Sequence, residues 1–292
     1  MQLINPSNPR IKAQQPGFIG MCEHIARCAA ICYDSKPKEG EEAVEFVKRL
    51  AKLGHGRALE FGTVCWTEER SFDGTFGTDG NNSWFDYEDS EDGRYRFVTS
   101  SLRYYLETNF SPTHFEYGID FMREYWNGEA NEDTYDNPIP QDWDENFPKR
   151  ITILYPAISR AIADEFRTHT TLSTLMQSTR YCNLAKKSDS DGIRFIKPLW
   201  YDSVLSQDDH QACVDFRHQL EEAEKEYNRL LAFTKPENAR DVLPLCVATK
   251  MVQCGFLPAW KHLVELRAAT AAHPQARQMA DAINSLLFNP KN

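Results

Sequence analysis

Three kinds of chemically capable side chain crowd into one short stretch, Glu165 to Tyr181 (EFRTHTTLSTLMQSTRY). It holds guanidiniums at Arg167 and Arg180, an imidazole at His169, and hydroxyls at Thr168, Thr170, Thr171, Ser173, Thr174, Ser178 and Thr179. The set suits a phosphorylated ligand, because a guanidinium offers paired N–H donors to phosphate oxygens and hydroxyls add further hydrogen bonds. The same composition also fits a turn whose hydroxyls satisfy their own backbone and whose arginines meet surface carboxylates. Two further arginines follow, Arg240 in ENARDVLPLCVATKMVQC and Arg267 in AWKHLVELRAATAAHPQARQMADAINSLL. On a helix Trp260, Val264 and Arg267 fall at i, i+4 and i+7, so the Arg267 guanidinium projects from an apolar stripe. There it needs an anionic or carbonyl partner; the alternatives are that it snorkels to water or pairs with a nearby Glu.

These residues need elements to place them. Ile151 to Tyr155 is an apolar strand candidate, and from Pro156 a helical stretch follows with Ile158, Ile162 and Phe166 at i, i+4 and i+8. The hydroxyl cluster after it is a poor helix interior and reads as irregular chain. Upstream, residues 20–36 read as a helix with Ile25, Cys28, Ala29 and Cys32 on one face and Arg27 beside it as a surface charge. A second helix, Glu41 to Leu53, carries Val44, Val47, Leu50 and Leu53 and ends at Gly54. His55 then opens a tight turn into a strand marked by Val64 and Trp66. Downstream lie a short strand, Ile193 to Ile196, stopped by Pro198, and a long charged helix from about Gln207 to Ala232. Its stripe is Val214, Leu220, Ala223, Tyr227 and Leu231. Residues 237–254 read as a helix kinked at, or started near, Pro244.

Residues 71–149 are the compositional outlier, rich in Gly, Asn, Asp and Pro, and read as an acidic, partly ordered insertion into the sheet of the core. Within it are a strand candidate, Tyr95 to Thr99, and helix candidates Leu102 to Thr108 and Tyr117 to Trp126. Its aromatics (Trp84, Phe85, Tyr104, Tyr105, Tyr125, Trp126) either anchor the insertion to the body or line a cleft. We therefore read 1–292 as one domain with an insertion at about 71–149.

The 292 residues carry a net charge of −10, which argues against a general nucleic-acid binder; a local arginine cluster still suits a small anion. The N-terminus has neither an apolar core nor a basic leader, and no run of about 18 apolar residues occurs, so the expectation is a cytoplasmic protein without a membrane span. None of the eight cysteines forms a Cys-x-x-Cys pair, and buried reduced thiols are the expected state, with no metal site.

The order of residues in the central stretch resembles the signature of flavin-dependent thymidylate synthases, Arg-His-Arg-x-x-Ser-x-Asn-Glu-x-Ser-x-Arg-Tyr. His169, Ser173, Ser178, Arg180 and Tyr181 match; Thr168 and Thr170 replace the two flanking arginines, and Leu175-Met176 replace Asn-Glu. The turn at His55 and Glu60 resembles the family's His-x-x-x-x-Glu-His element, with Phe61 in place of the last His. Ala239, Arg240, Leu243, Pro244, Leu245 and Thr249 match its Ala-Arg-x-x-Leu-Pro-Leu-x-x-x-Thr element, and Leu266, Arg267 and Ala272 match its final helix pair, where Gln275-Ala276 replace Glu-Ile.

The resemblance implies an α+β fold, a mixed or antiparallel sheet flanked by helices, and reductive methylation of dUMP to dTMP. FAD would be the cofactor, NADPH and methylenetetrahydrofolate the co-substrates, and a homotetramer the assembly. It implies that Arg267 contacts the uracil carbonyl and that Ser178, Arg180 and Arg240 hold and orient the nucleotide. Glu165, where the family has Gln, either turns toward an arginine or marks altered specificity. His169, Thr168, Thr170, Ser173 and His55 would line the FAD, with Arg167 supplying part of the missing charge. On this reading Arg180, Arg240 and Arg267 converge on one pyrimidine monophosphate. The alternatives are a flavin enzyme acting on another pyrimidine nucleotide and a nucleotide-binding homologue without catalysis.

Overall fold

The computed structural model describes all residues except 73, 76, 79, 127–136, 188–189, 206–209 and 290–292. Two short strands, β1 (Gln2–Ile4) and β2 (Arg10–Ile11), precede helices α1 (Gly17–Tyr33) and α2 (Gly40–Lys52) and the single turn α3 (Gly56–Leu59). Next come β3 (Thr63–Glu69), β4 (Phe85–Asp89), β5 (Tyr95–Ser101), α4 (Leu102–Asn109) and α5 (Phe115–Tyr125). The second half runs β6 (Arg150–Ser159), α6 (Arg160–Phe166), β7 (Ser173–Met176), β8 (Lys186–Lys187), β9 (Ser190–Asp191), β10 (Arg194–Ile196) and α7 (Leu199–Leu205). It continues with α8 (Gln211–Leu231), α9 (Pro236–Ala239), β11 (Ala248–Phe256), α10 (Leu257–Arg267) and α11 (Pro274–Leu287).

The fold is α+β, with antiparallel sheets flanked by helices. The sheet that carries the site has the order β2-β6-β11-β7. Along β6 and β11, alternate side chains enter opposite faces. Ile151, Ile153, Tyr155 and Met251 pack with Phe166, Trp260, Leu263, Met279 and Ile283 from α6, α10 and α11. Val252 and Cys254 pack the other way, against Cys28 of α1 and Phe61. Helices therefore cover both faces. A buried amide ties the layers: Gln253 accepts from Tyr155 Oη (3.0 Å) and donates to the Phe166 carbonyl (3.2 Å) and Thr174 Oγ1 (3.0 Å).

Two expectations are corrected here. The stretch from Pro156 does not start a helix, because β6 continues to Ser159. Its pairing with β11 shifts register between Thr249 and Met251, opposite Ile158 and Tyr155, so Pro156 sits at an irregularity where no ladder N–H is required. Residues 237–254 do not form one helix either. After α9 and a 3-10 turn at Arg240–Val242, Leu243 turns extended (ψ 130°) ahead of Pro244, and the chain enters β11.

The segment 71–149 does not insert into this sheet. Its strands join β3 in a separate three-stranded sheet of order β3-β5-β4. That sheet, α4 and α5 share a core with α1 and α2, through Ile25, Val44, Val47, Trp66, Val98 and Tyr105 among others. The aromatics act as anchors: Phe85 stacks on Tyr104 with ring centres 4.4 Å apart, and Trp126 meets Phe18 at 6.5 Å. The eight cysteines are free thiols. The expected start of the charged helix at Gln207 lies outside the described residues. No described helix is long and apolar enough to cross a membrane.

Candidate functional site

Helix α6 organises the site. Ser159 caps it, accepting from the Ile162 N–H, while Ile162, Ala163 and Phe166 bury one face. This leaves Arg160, Asp164 and Glu165 to project elsewhere. After α6 the chain turns through Arg167–Leu172 and enters β7, so His169 and Ser173 are carried inward and both are buried. Between them Thr170 stays exposed.

Arg267, the last residue of α10, docks on this turn. Its Nη1 lies 3.0 Å from Glu165 Oε2, Nη2 donates to the Glu165 carbonyl (2.7 Å) and to Thr168 Oγ1 (3.0 Å), and Nε donates to His169 Nε2 (3.0 Å). These contacts use one N–H on Nε, one on Nη1 and two on Nη2, leaving one Nη1 N–H of the five a guanidinium carries. Accepting from Arg267 requires His169 to keep its Nε2 lone pair. Burial first, then the charges of Arg267 and His262, push its pKa down to about 4. Glu165 has thus turned toward an arginine, the first of the two expected outcomes.

A second cluster gathers on the other side of α6. Arg240 Nη1 donates to Thr179 Oγ1 (2.9 Å), and Arg180 lies 3.5 Å from Glu237 and 5.3 Å from the Tyr181 ring centre. Ser178 is fixed at both ends: its N–H donates to the Cys32 carbonyl (2.8 Å) and its Oγ accepts from the Arg180 N–H (3.1 Å). Arg240 and Thr179 line a cavity of about 350 Å³ together with Arg160 and Asp164. Arg160 is half-buried. Burial lowers its pKa, Asp164 opposes that shift, and Arg167 and Arg240 add to it. Asp164 is held by Arg167 at 2.9 Å and by Arg160 at 3.5 Å, so two guanidiniums share one carboxylate. The expected single group of Arg180, Arg240 and Arg267 is therefore two groups within one chain, joined through α6.

The turn after α2 supplies a third part. Glu60 is fully buried, and its carboxylate accepts from Arg57 (2.8 Å), Arg103 (2.8 Å) and Ser173 Oγ (2.7 Å). Gly56 lets this happen: a Cβ there would stand 2.9 Å from the Arg103 Nε. His55 and Arg57 border a cavity of about 940 Å³ with Tyr33, Lys36, Arg49 and Leu175. Its floor is apolar and its rim cationic. Of the residues expected at a flavin, His55 lines this cavity, whereas Ser173 faces Glu60, His169 and Thr168 face Arg267, and Arg167 faces Asp164. Phe61, in place of the family's His, is core.

Sequence reasoning gave no role to Arg160, Arg57 or the Glu60 carboxylate. The i, i+3 spacing of Arg57 and Glu60 and the i, i+4 spacing of Arg160 and Asp164 were the available signals; the other guanidiniums near Arg160 come from residues 167 and 240.

Fold and site together define an α+β protein with an arginine-lined cavity beside one helix of an antiparallel sheet. Residues 150–289, which carry α6, β7, β11, α10 and α11, match the family described as thymidylate synthase complementing protein. No curated protein matches the chain.

Proposed function

We propose that the chain is a flavin-dependent thymidylate synthase that converts dUMP to dTMP with methylenetetrahydrofolate and NADPH, as a single catalytic unit over 1–292 and a cytoplasmic homotetramer. The observation that carries this is the docking of Arg267 on Glu165, Thr168 and His169. Residues that the resemblance assigns to one site, about a hundred positions apart, are brought into contact within the matched segment.

In this reading Arg160, Arg180 and Arg240 hold the nucleotide phosphate, and Ser178 orients it. Arg160, Arg167, Arg180 and Arg240 together outnumber the carboxylates of Asp164, Glu237 and Asp241 beside them, which favours an anion. The remaining Nη1 N–H of Arg267 donates to a uracil carbonyl and stabilises the negative charge that gathers on that oxygen while the ring is activated as a nucleophile at C5. His169 stays neutral and keeps that guanidinium in register. The reaction replaces the C5 hydrogen of dUMP by a methyl group; the folate gives up its one-carbon unit, and NADPH with a proton supplies the two hydrogens.

The residues present fit a flavin. The cavity beside His55 offers an apolar floor for a ring system and, at Lys36, Arg49 and Arg57, charge for phosphates that Thr168 and Thr170 do not supply. When bound, FAD supplies the hydride step. Purified protein should absorb in the flavin bands and release tritium from 5-labelled dUMP; a colourless preparation that binds dUMP would leave only the non-catalytic reading. The replacement of Asn-Glu by Leu175-Met176 favours that second reading, since Leu175 offers the cavity no polar group.

A further inference from the structure

We infer that a separate cleft of about 530 Å³, between the segment leading into α1, the start of β6 and the end of α11, binds a small organic monoanion with a flat apolar body, of the aryl carboxylate class.

Size and wall chemistry come first. Small-molecule sites are concave, mostly apolar, and carry a few convergent polar groups. Ile11, Ile151, Leu257, Leu286 and Leu287 form the apolar wall, with the Trp143 indole at its rim. Lys149 Nζ lies 5.7 Å from that ring, which sets a cation beside a stacking surface.

Charge selects the head group. Lys12, Lys149 and Arg150 line the cleft, and its one carboxylate, Asp142, is committed elsewhere: it accepts from the Gly17 N–H (2.7 Å) and from Trp126 Nε1 (3.1 Å). Among the described residues Arg150 donates to neutral oxygens, the carbonyls of Gly62 (3.2 Å) and Glu60 (2.8 Å) and Thr63 Oγ1 (3.3 Å), and it lies 5.5 Å from the Phe256 ring centre. Its Nε is buried with no hydrogen-bond partner among the described residues. A partly buried guanidinium without a carboxylate favours an anionic occupant. His24, the other titratable group on the wall, lies 3.1 Å from Thr152 Oγ1 and is uncharged at neutral pH, because burial and then the nearby Arg27 and Arg150 push its pKa down to about 3. It adds a polar contact without a second charge, which fits one anionic head and not two.

The site can be tested on the full chain by isothermal titration with 1-naphthoate and with the neutral 1-naphthamide of the same shape. We expect saturable 1:1 binding of naphthoate and at least tenfold weaker binding of the amide. Joint Lys12→Gln and Lys149→Gln replacement, both at exposed positions, should weaken naphthoate at least fivefold, and Leu287→Trp, which fills the wall, should abolish it. Excess dUMP should not displace the naphthoate, which separates this cleft from the nucleotide site whatever the flavin content. Absence of saturable binding, equal affinity for the two probes, an unchanged affinity in the lysine variant, or displacement by dUMP would each overturn the assignment.

Discussion

Arg267 holds Glu165 through both its carboxylate and its carbonyl, at 3.0 and 2.7 Å, across 102 residues of chain. A side chain held at that many points is a positioned group. Replacing it with Lys keeps the charge and loses the planar fork. Arg267→Lys should lower kcat/KM for dUMP by about two orders of magnitude, in line with loss of one donor to developing charge. Steady-state kinetics would show whether the loss falls on kcat, as expected, or on KM alone, which would reduce Arg267 to a binding contact.

Arg160 should matter for the nucleotide phosphate and not for the base. Arg160→Gln is expected to weaken dUMP binding by about tenfold or more while leaving deoxyuridine binding unchanged, since the phosphate-dependent part of affinity is what a guanidinium provides. Calorimetry with the two ligands provides the comparison. Equal losses for both would assign Arg160 a structural role only.

The Glu60 carboxylate is a shared anchor, so its loss should exceed the loss of any one contact. Glu60→Gln should destabilise the fold by about 2–4 kcal/mol, because two guanidiniums lose their common partner. Ser173→Ala should cost about 1–2 kcal/mol for one hydrogen bond to a charged acceptor. The double variant should fall short of the sum, since both remove the same bond. Urea unfolding of the four proteins measures each value.

Acid should weaken the fold before any carboxylate titrates. Buried His24 and His169 have folded pKa values of about 3 and about 4, below the ordinary 6.5. Unfolded chain binds protons at these positions below pH 6.5 and folded chain does not, so stability present above 6.5 is lost as the pH falls toward 4. Each histidine contributes a slope approaching about 1.4 kcal/mol per pH unit in that window. His24→Gln should flatten the acid limb of a stability–pH curve, and an unaltered limb would show that His24 is already charged in the fold.

Gln253 should be sensitive out of proportion to its size. Gln253→Leu leaves Tyr155 Oη buried without its partner and the Phe166 carbonyl with the His169 N–H alone, a cost of about 1–3 kcal/mol, read from the urea midpoint. Loss of less than about 1 kcal/mol would mean that Thr174 or a water takes over.

Much of the N-terminal half was legible. The Val44–Val47–Leu50 spacing, the Gly54 stop and the Val64–Trp66 alternation gave α2, the turn and β3, because each rests on local periodicity. Local periodicity misled at Ile158, while Ile162 and Phe166 do lie on α6: a central strand buried on both faces shows apolar residues at helical and strand spacings alike, and pairing with β11 decided for Ile158. Ser173–Met176 read as irregular for a related reason, since only the distant β11 makes STLM a strand. Site chemistry divides the same way. The positions of Arg180, Arg240 and Arg267 were visible as residue types, but their partners come from segments 57 to 102 residues away, and no pattern along the chain announces such meetings.

The placement of α1 bears on how this protein can be dissected. Residues 150–289 look separable on paper, yet Val252 and Cys254 rest on Cys28 and Phe61, which belong to the other half. Cutting the chain at residue 150 would strip one face of the central strands bare, and the excised piece should clump instead of standing alone as a working miniature.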